Sequence, residues 1–398
     1  MTPGPGVHRT LLPKGFLASG VNCGVRRYRP DMGLLISDVP AVAAGVFTLN
    51  ECKAAPVLYT QKLLPADNIR AILTNSGQAN AATGDEGVEK NLMMVSAAAK
   101  ALGCDLEQVL VASTGVIGHQ LDTEKILPVM PELVSRANDS AESFATAIMT
   151  TDLVPKTVTT EIELSGGSVR ITGISKGSGM IHPNMATMLG YILTDAQITK
   201  DHAAQLIKRT ADQSFNMISV DGDSSTNDCC FLMANGASGI ALQNSEDVKK
   251  FDAAVLEIAI FLAKSIAADG EGATKLIEVE IKGSNNLLQA RRAARGVTLS
   301  PLIKTAVHGE DPNWGRILAR LGSEQVPREQ LMKMTLKVQG VLLFENGQPV
   351  KFVREEVKAL LKQALVHIEI DLRSGTETAT AWGCDLSRKY VDINTEYS

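Results

Sequence analysis

The chain has 398 residues, with 39 Lys and Arg against 44 Asp and Glu, a formal net charge of −5, and 44% hydrophobic against 21% charged residues. That charge is too small to hold a polyanion by itself, and the composition is that of a folded chain with a large core, which excludes a disordered protein. Aromatic residues make up only 4%, leaving little material for stacking single-stranded nucleic acid, so no nucleic-acid partner is expected.

Length alone suggests about two or three structural units. Cys23, Cys52, Cys104, Cys229, Cys230 and Cys384 form no CxxC pair and no Cys/His cluster at zinc-finger spacing, which points to reduced thiols and a cytoplasmic location. The longest apolar run, Ala253 to Ala268, is interrupted by Glu257 and Lys264, and the N-terminus lacks a continuous apolar stretch. Neither a signal peptide nor a membrane span is expected.

In chain order, Leu34 to Phe47 and Ile69 to Leu73 read as strands, being β-branched or large apolar residues bounded by turn formers. Gly87 to Leu102 and Glu124 to Ala137 read as helices, the second entered through Asp122-Thr123 as a cap. Ser168 to Ile174 alternates polar and apolar residues like a half-buried strand and runs straight into the glycine-rich segment KGSGMIHPN. Thr187 to Thr194 reads as a strand, and about Asp201 to Gln213 as a helix. Strands at CCFLMANG and ATKLIEVEIKG flank a long helix over Ser245 to Ala268. Thr335 to Phe344 and Val350 to Val353 flank Asn346-Gly347 as a hairpin, because both turn residues tolerate positive φ. This alternation of strands and helices implies helices layered on sheet.

Several segments invite a chemical reading. Asp221, Asp223 and Ser225 occupy the first, third and fifth places of a calcium loop, but the sixth is Thr226 and the twelfth Leu232, where that loop needs Gly and Glu. A polar turn whose side chains bond backbone groups fits better. Gly173-Ile-Ser175-Lys-Gly177 matches a nucleophile elbow, but Gly177, Gly179 and Pro183 follow Ser175 where a helix should open. The six histidines show no metal-binding spacing, so no metal is expected; His182 and His308 sit in Gly- and Pro-punctuated segments that suit an acid/base or a structural hydrogen bond. Asn75 to Gly84 and Ala112 to Gly118 read as loops rich in small residues, either tight turns under the core or places where backbone N–H and hydroxyl groups approach a substrate oxyanion.

The run KGSGMIHPNMATML over Lys176 to Leu189 closely resembles the signature of the ornithine acetyltransferase family, also called the glutamate N-acetyltransferase or bifunctional arginine-biosynthesis family. Supporting segments follow the family's order: NSGQANAATG from Asn75, ASTGVIG from Ala112, MTTD from Met149, SVDGDSSTND from Ser219, ADGEGATK from Ala268 and GEDPNWGR from Gly309. The resemblance therefore spans essentially the whole chain. It implies an α/β (α+β) fold of stacked β-sheets covered by helices, with a smaller C-terminal lobe from about residue 280.

The same resemblance implies a precursor that cuts itself between Ala186 and Thr187, giving an α chain, 1–186, and a β chain, 187–398, paired as α2β2. Thr187 is then both N-terminus and nucleophile, and its new α-amine, with an ordinary pKa of about 7.7–8, can serve as the base that an amide nitrogen cannot. Thr114 and Gly115 correspond to the family's oxyanion hole. Substrate contacts carry over to Lys176, Thr187, Glu271, Asn394 and Ser398, with one of Thr150 and Thr151. Lys176 suits the α-carboxylate of an N-acetylated amino acid and Glu271 the side-chain ammonium of ornithine. Ser398 follows Asn394 by four positions where the family has five, and Gln78 and Ala82 replace residues common in the family. The implied reaction moves acetyl from N-acetylornithine to glutamate without metal or organic cofactor, and a bifunctional member would also take acetyl-CoA as a donor. A self-processing amidohydrolase or aminopeptidase of related fold is the competing expectation.

Overall fold

The computed structural model describes residues 10–181 and 188–395. They divide into two compact units: one of residues 10–177, 188–215 and 224–262, the other of residues 178–181, 216–223 and 263–395. The protein is α/β, with a β-sheet and covering helices in each unit.

The first unit is built on eight strands. Seven lie in the order Val109–Val116, Ala66–Gln78, Met32–Phe47, Cys229–Ala234, Leu189–Thr194, Gly167–Lys176 and Lys156–Leu164, and Phe16–Val21 pairs with Met32–Phe47. Two pairs are parallel: Ala66–Gln78 with Val109–Val116, and Leu189–Thr194 with Cys229–Ala234. Met32–Phe47 is long enough to serve two sets of neighbours, its first half lying against Phe16–Val21 and its second against Cys229–Ala234. The register skips between Ile36 and Ala41, where Pro40 supplies no N–H to a ladder. Tyr191, Phe144 and Phe231 pack ring against ring in the core, at centroid distances of 5.0 and 5.7 Å from Tyr191. The buried phenol is satisfied by Thr74, 2.8 Å away.

Helix Ser245–Ala268, with residues up to 262 in this unit, lies so close to the strand Gly167–Lys176 that a Cβ on Gly173 would stand 2.4 Å from Ile258 and 2.8 Å from Leu262. Gly173 therefore serves helix-on-sheet packing. Ser175 is buried mid-ladder between Lys156 and Gly190, so the elbow pattern places no nucleophile at a strand-to-helix turn.

The expectation of one helix over Glu124 to Ala137 is corrected. The segment breaks into Thr123–Ile126, a 3-10 turn Leu127–Val129, and Met130–Ser135, because Pro128 and Pro131 cannot donate to an α-ladder. Asp122 does not cap it; its carboxylate pairs with Lys125 at 2.8 Å. Helix Lys200–Gln213 is capped by Thr199, whose hydroxyl accepts from the His202 N–H.

The second unit's sheet runs Gln348–Pro349, Val341–Glu345, Thr335–Val338, Leu365–Asp371, Leu276–Ser284, Glu377–Cys384 and Ile218–Ser219. Leu276–Ser284 alternates cleanly: Ile277, Val279 and Ile281 face the core, while Glu278, Glu280 and Lys282 face outward. Glu280 lies opposite Glu369 on Leu365–Asp371, a repulsive pairing relieved by Lys282, 3.0 and 2.9 Å from the two carboxylates, and by Lys337. The two ammonium groups hold the Glu369 carboxyl down at about 2.

The hairpin at Asn346-Gly347 forms, with both turn residues at positive φ, but its partner strand is Gln348–Pro349 instead of Val350 to Val353. Thr335 to Phe344 is also not one strand. Gln339-Gly340, both at positive φ, fold it into a second tight hairpin of Thr335–Val338 and Val341–Glu345.

Candidate functional site

In the first unit the site residues gather where strands end. Thr114 and Gly115 do not lie in a loop as expected; they are the sixth and seventh residues of the eight-residue strand Val109–Val116, paired in parallel with Ser76 and Gly77. Asn75 to Gln78 is likewise strand. The apolar core of Ala66–Gln78 and Val109–Val116 buries both strands, and the ladder simply continues through the small polar residues that follow. Gly115 has φ +134°, and a Cβ there would stand 2.2 Å from the Gly77 carbonyl carbon and 2.5 Å from the Gln78 nitrogen. Only glycine fits, because backbone cannot move aside.

Lys176 ends the strand Gly167–Lys176, and its ammonium donates to the Thr114 hydroxyl at 3.2 Å with both residues buried. A lysine ammonium has donors only. The Thr114 oxygen is therefore the acceptor, which leaves its own proton to be donated elsewhere.

Below this pair sits an acid that the sequence reading quoted without a role. Asp152, 1% exposed, accepts from the Lys156 ammonium at 2.7 Å, from the Gly177 N–H at 2.7 Å and from the Thr150 N–H at 3.0 Å. Burial by itself raises the Asp152 carboxyl, but Lys156 and Lys176, with those hydrogen bonds, outweigh it and hold the group below the ordinary carboxylate range. Asp152 thus ties the start of the glycine-rich segment to the Thr150-Thr151 turn. The turn is braced from its other side by Arg26, whose guanidinium donates to the carbonyls of Met149 and Thr150. Both threonines are half-buried. Asn227, buried, donates to the carbonyls of Ala79 and Ser113 at 2.6 and 2.9 Å, fastening the polar segment before Cys229 to the strand that carries Thr114. Side chains bonding backbone is what the reading of this turn expected.

In the second unit Glu271 is buried, and its carboxylate accepts from Asn394 at 2.8 Å, while its N–H donates to the Ser178 carbonyl at 3.0 Å. A Cβ on Gly179 would stand 2.3 Å from the Glu271 carboxyl, so the glycine lets that carboxylate lie against the loop. Asp221 accepts from the N–H groups of Met180 and Ile181 at 2.6 and 2.8 Å, and Tyr390 hydrogen-bonds to Asp221. Burial raises the Asp221 carboxyl in spite of those donors. His308 Nδ1 meets Asp385 at 2.7 Å, an acid also held by Thr274 and Lys275.

The structure therefore brings together Lys176 with Thr114, and Glu271 with Asn394, in separate units. Ala186, Thr187 and Ser398, with His182, lie outside the described residues. Among the described residues no group of three or more His, Cys, Asp or Glu is placed to hold a metal ion, and no helix is long and apolar enough to cross a membrane.

Residues 17–398 match the family model described as the ArgJ family. The chain belongs to the ArgJ family. Its ArgJ relatives include the arginine biosynthesis bifunctional protein ArgJ of Oceanobacillus iheyensis, 47% identical over 388 residues, with 97% of this chain and 95% of that protein covered. The protein of the same name from Thermotoga neapolitana is 45% identical over 394 residues, covering 97% and 99%. Among solved structures, the crystal structure of arginine biosynthesis bifunctional protein argJ from Bacillus halodurans is similar with a TM-score of 0.51 and 40% identity. It covers 53% of this chain and 100% of that one.

Proposed function

We propose that this ArgJ-family chain moves an acetyl group from N2-acetyl-L-ornithine to L-glutamate in arginine biosynthesis, by a ping-pong route through acetyl-Thr187. The observation that carries the reading is the buried Lys176–Thr114 contact beside Gly115, in a chain whose family match runs from residue 17 to 398. The Thr114 proton left over by that contact is available to a developing oxyanion. One such donor is worth roughly 3–4 kcal/mol in the transition state. Lys176 and Glu271 receive the α-carboxylate and the side-chain ammonium of the donor, with Thr150 or Thr151, Asn394 and Ser398 completing the contacts.

Self-cleavage between Ala186 and Thr187 precedes catalysis, since only the freed α-amine can accept the Thr187 hydroxyl proton. The Bacillus halodurans chain supports this division: it is matched in full by 53% of this chain, the share that residues 187–398 would make up. The two products stay together as αβ units, assembled as α2β2 in the cytoplasm. Acyl transfer of this kind needs neither metal nor organic cofactor. Acetyl-CoA serves as a second donor, in line with the word bifunctional in the relatives' names.

Intact mass under denaturing conditions tests the cut: the wild type gives two fragments, the second beginning at Thr187, and Thr187→Ala gives one. Ornithine release from N-acetylornithine then tests the transfer. Release that rises steeply with added glutamate supports the transferase, whereas release indifferent to glutamate would make the protein an amidohydrolase.

A further inference from the structure

The acid that meets His308 has no part in the chemistry described so far, yet it holds the loop that carries Glu271. Residues 269–275 join helix Ser245–Ala268 to strand Leu276–Ser284 with no helix or ladder of their own. Their backbone groups must be satisfied from elsewhere, and Asp385 supplies the acceptors. Its Oδ1 takes the N–H groups of Thr274 and Lys275 at 2.7 and 2.8 Å, and its Oδ2 the Thr274 hydroxyl at 2.6 Å and His308 Nδ1 at 2.7 Å. Asp385 is 1% exposed. Burial by itself would raise its carboxyl, but the hydrogen bonds from Thr274, His308 and Lys275 outweigh it and hold the group below its ordinary range.

The same short segment ties the loop twice more. The Asp385 N–H donates to the Lys275 carbonyl at 3.1 Å, and the Ser387 hydroxyl to the Gly272 carbonyl at 2.6 Å. Gly272 has φ +70°, and a Cβ there would stand 2.5 Å from the Tyr390 nitrogen. The loop therefore lies directly on the first turn of helix Arg388–Thr395, which carries Asn394. Glu271 and Asn394 are 123 positions apart in the chain and 2.8 Å apart in space, and residues 385–387 are what bind their two segments together.

This clamp is itself anchored. Lys304, on helix Pro301–His308, donates to the Cys384 carbonyl, and its own carbonyl accepts from the Leu386 N–H at 3.3 Å. Beyond that helix, the buried Lys275 ammonium donates to the Val307 carbonyl at 3.1 Å and meets Glu310 at 3.5 Å. Glu310 does so from φ +56°, a conformation that a non-glycine residue keeps only where its surroundings fix it. The GEDPNWGR segment, to which acetyl transfer by itself assigns no task, thus braces the same loop.

We propose that Asp385 is a positioning residue: through the Thr274 and Lys275 N–H groups it fixes the Glu271 loop against the Asn394 helix, and so sets the preference for donors that bear a side-chain ammonium. The inference rests on the reading of Glu271 as the partner of ornithine's ammonium. Asp385 touches no substrate. A charge-assisted hydrogen bond weakens steeply as distance and angle depart from their optimum, so a loop free to drift loosens its hold on the ammonium. The acetyl chemistry, carried by other residues, is left as it was, and a donor without the ammonium has nothing to lose.

The readout is the ratio of kcat/KM for N2-acetyl-L-ornithine to that for N2-acetyl-L-norvaline, which has the same carbon chain without the amine, with glutamate as acceptor for both. Glu271→Gln should cut the ratio about tenfold or more, the worth of a hydrogen bond to a charged group. Asp385→Ala should also cut it about tenfold, with acetylnorvaline turnover within a few-fold of wild type. Asp385→Asn keeps one oxygen for the two N–H groups and should stay near the wild-type ratio. An unchanged ratio in Asp385→Ala, equal losses on both donors, or an Asp385→Asn ratio as low as that of Asp385→Ala would each overturn the proposal while leaving Glu271 in its role. A ratio indifferent to Glu271→Gln would remove the ammonium contact and the proposal with it. A wild type that moves no acetyl from acetylornithine to glutamate would overturn the transferase reading as well. If Asp385→Ala does not fold, Ser387→Ala decides, since it loses the tie to Gly272 and no charge: a ratio lowered several-fold is expected, and an unchanged one refutes the role.

Discussion

Replacing Asp152 by Asn keeps the shape of the side chain and removes its charge from a site where it is almost fully enclosed. Three donors point at its two oxygens: the Lys156 ammonium, the Gly177 N–H and the Thr150 N–H. An asparagine offers one acceptor oxygen and turns an NH2 group toward at least one of these donors. The Lys156 side chain, 1% exposed, would then lose the charge that Asp152 sets against it. Removing one partner of a buried ion pair costs about 3–5 kcal/mol. Because Asn still serves one donor, the lower end is expected: about 3 kcal/mol, or roughly 6–12 °C in Tm for a unit of this size. Urea and thermal denaturation of purified Asp152→Asn beside wild type measure it. Adding Lys156→Met, which removes the buried cation, should recover part of the loss. A single variant within 1 kcal/mol of wild type, or a double variant whose loss is the sum of the two single losses, would refute the account of Asp152 as the hub of this cluster.

The same acid sets a pH signature. Its folded-state carboxyl lies below the unfolded value of about 3.9, so its contribution is full above that value and is lost as pH falls through the folded one. The stability gap between wild type and Asp152→Asn should therefore stay constant from pH 8 to about 5 and shrink in acid; a gap that widens in acid would contradict it. Gly115→Ala forces a side chain into backbone at positive φ and should cost about 1–3 kcal/mol from strain alone, with acetyl transfer falling further because Thr114 moves with it; normal transfer by this variant would count against the strand-end oxyanion site. Gly179→Ala meets only the carboxyl end of the Glu271 side chain and no backbone, so melting should change little. KM for N-acetylornithine should rise about tenfold, matching roughly one weakened charge-assisted hydrogen bond, and an unchanged KM would separate Glu271 from ornithine recognition.

Much of the fold was legible because its signals are local. Period-2 alternation marked Leu276–Ser284, length and apolar content marked Ser245–Ala268, and Asn346-Gly347 marked a turn that needs positive φ. Helix Leu287–Leu299 escaped, since its buried face is mostly Ala290, Ala293, Ala294 and Val297, and Gly296 interrupts it. Alanine carries little hydrophobic signal, and only packing on the strands Leu276–Ser284 and Glu377–Cys384 makes that face a core.

What the sequence by itself determined was the α/β class, the family motif around Lys176 and the identity of the groups that can do acyl chemistry. Which of those groups meet was decided by tertiary structure alone. Thr114 and Lys176 are 62 positions apart in the chain yet 3.2 Å apart in space. The lowered carboxyl of Asp152 and the raised one of Asp228 both depend on their being buried, and burial is a property of the strands and turns that close over them. An aspartate in a string of small polar residues reads as a solvated turn. The parallel register of Leu189–Thr194 with Cys229–Ala234 is what carries Asp228 out of water and beside Met188, and the desolvation that follows changes its chemistry.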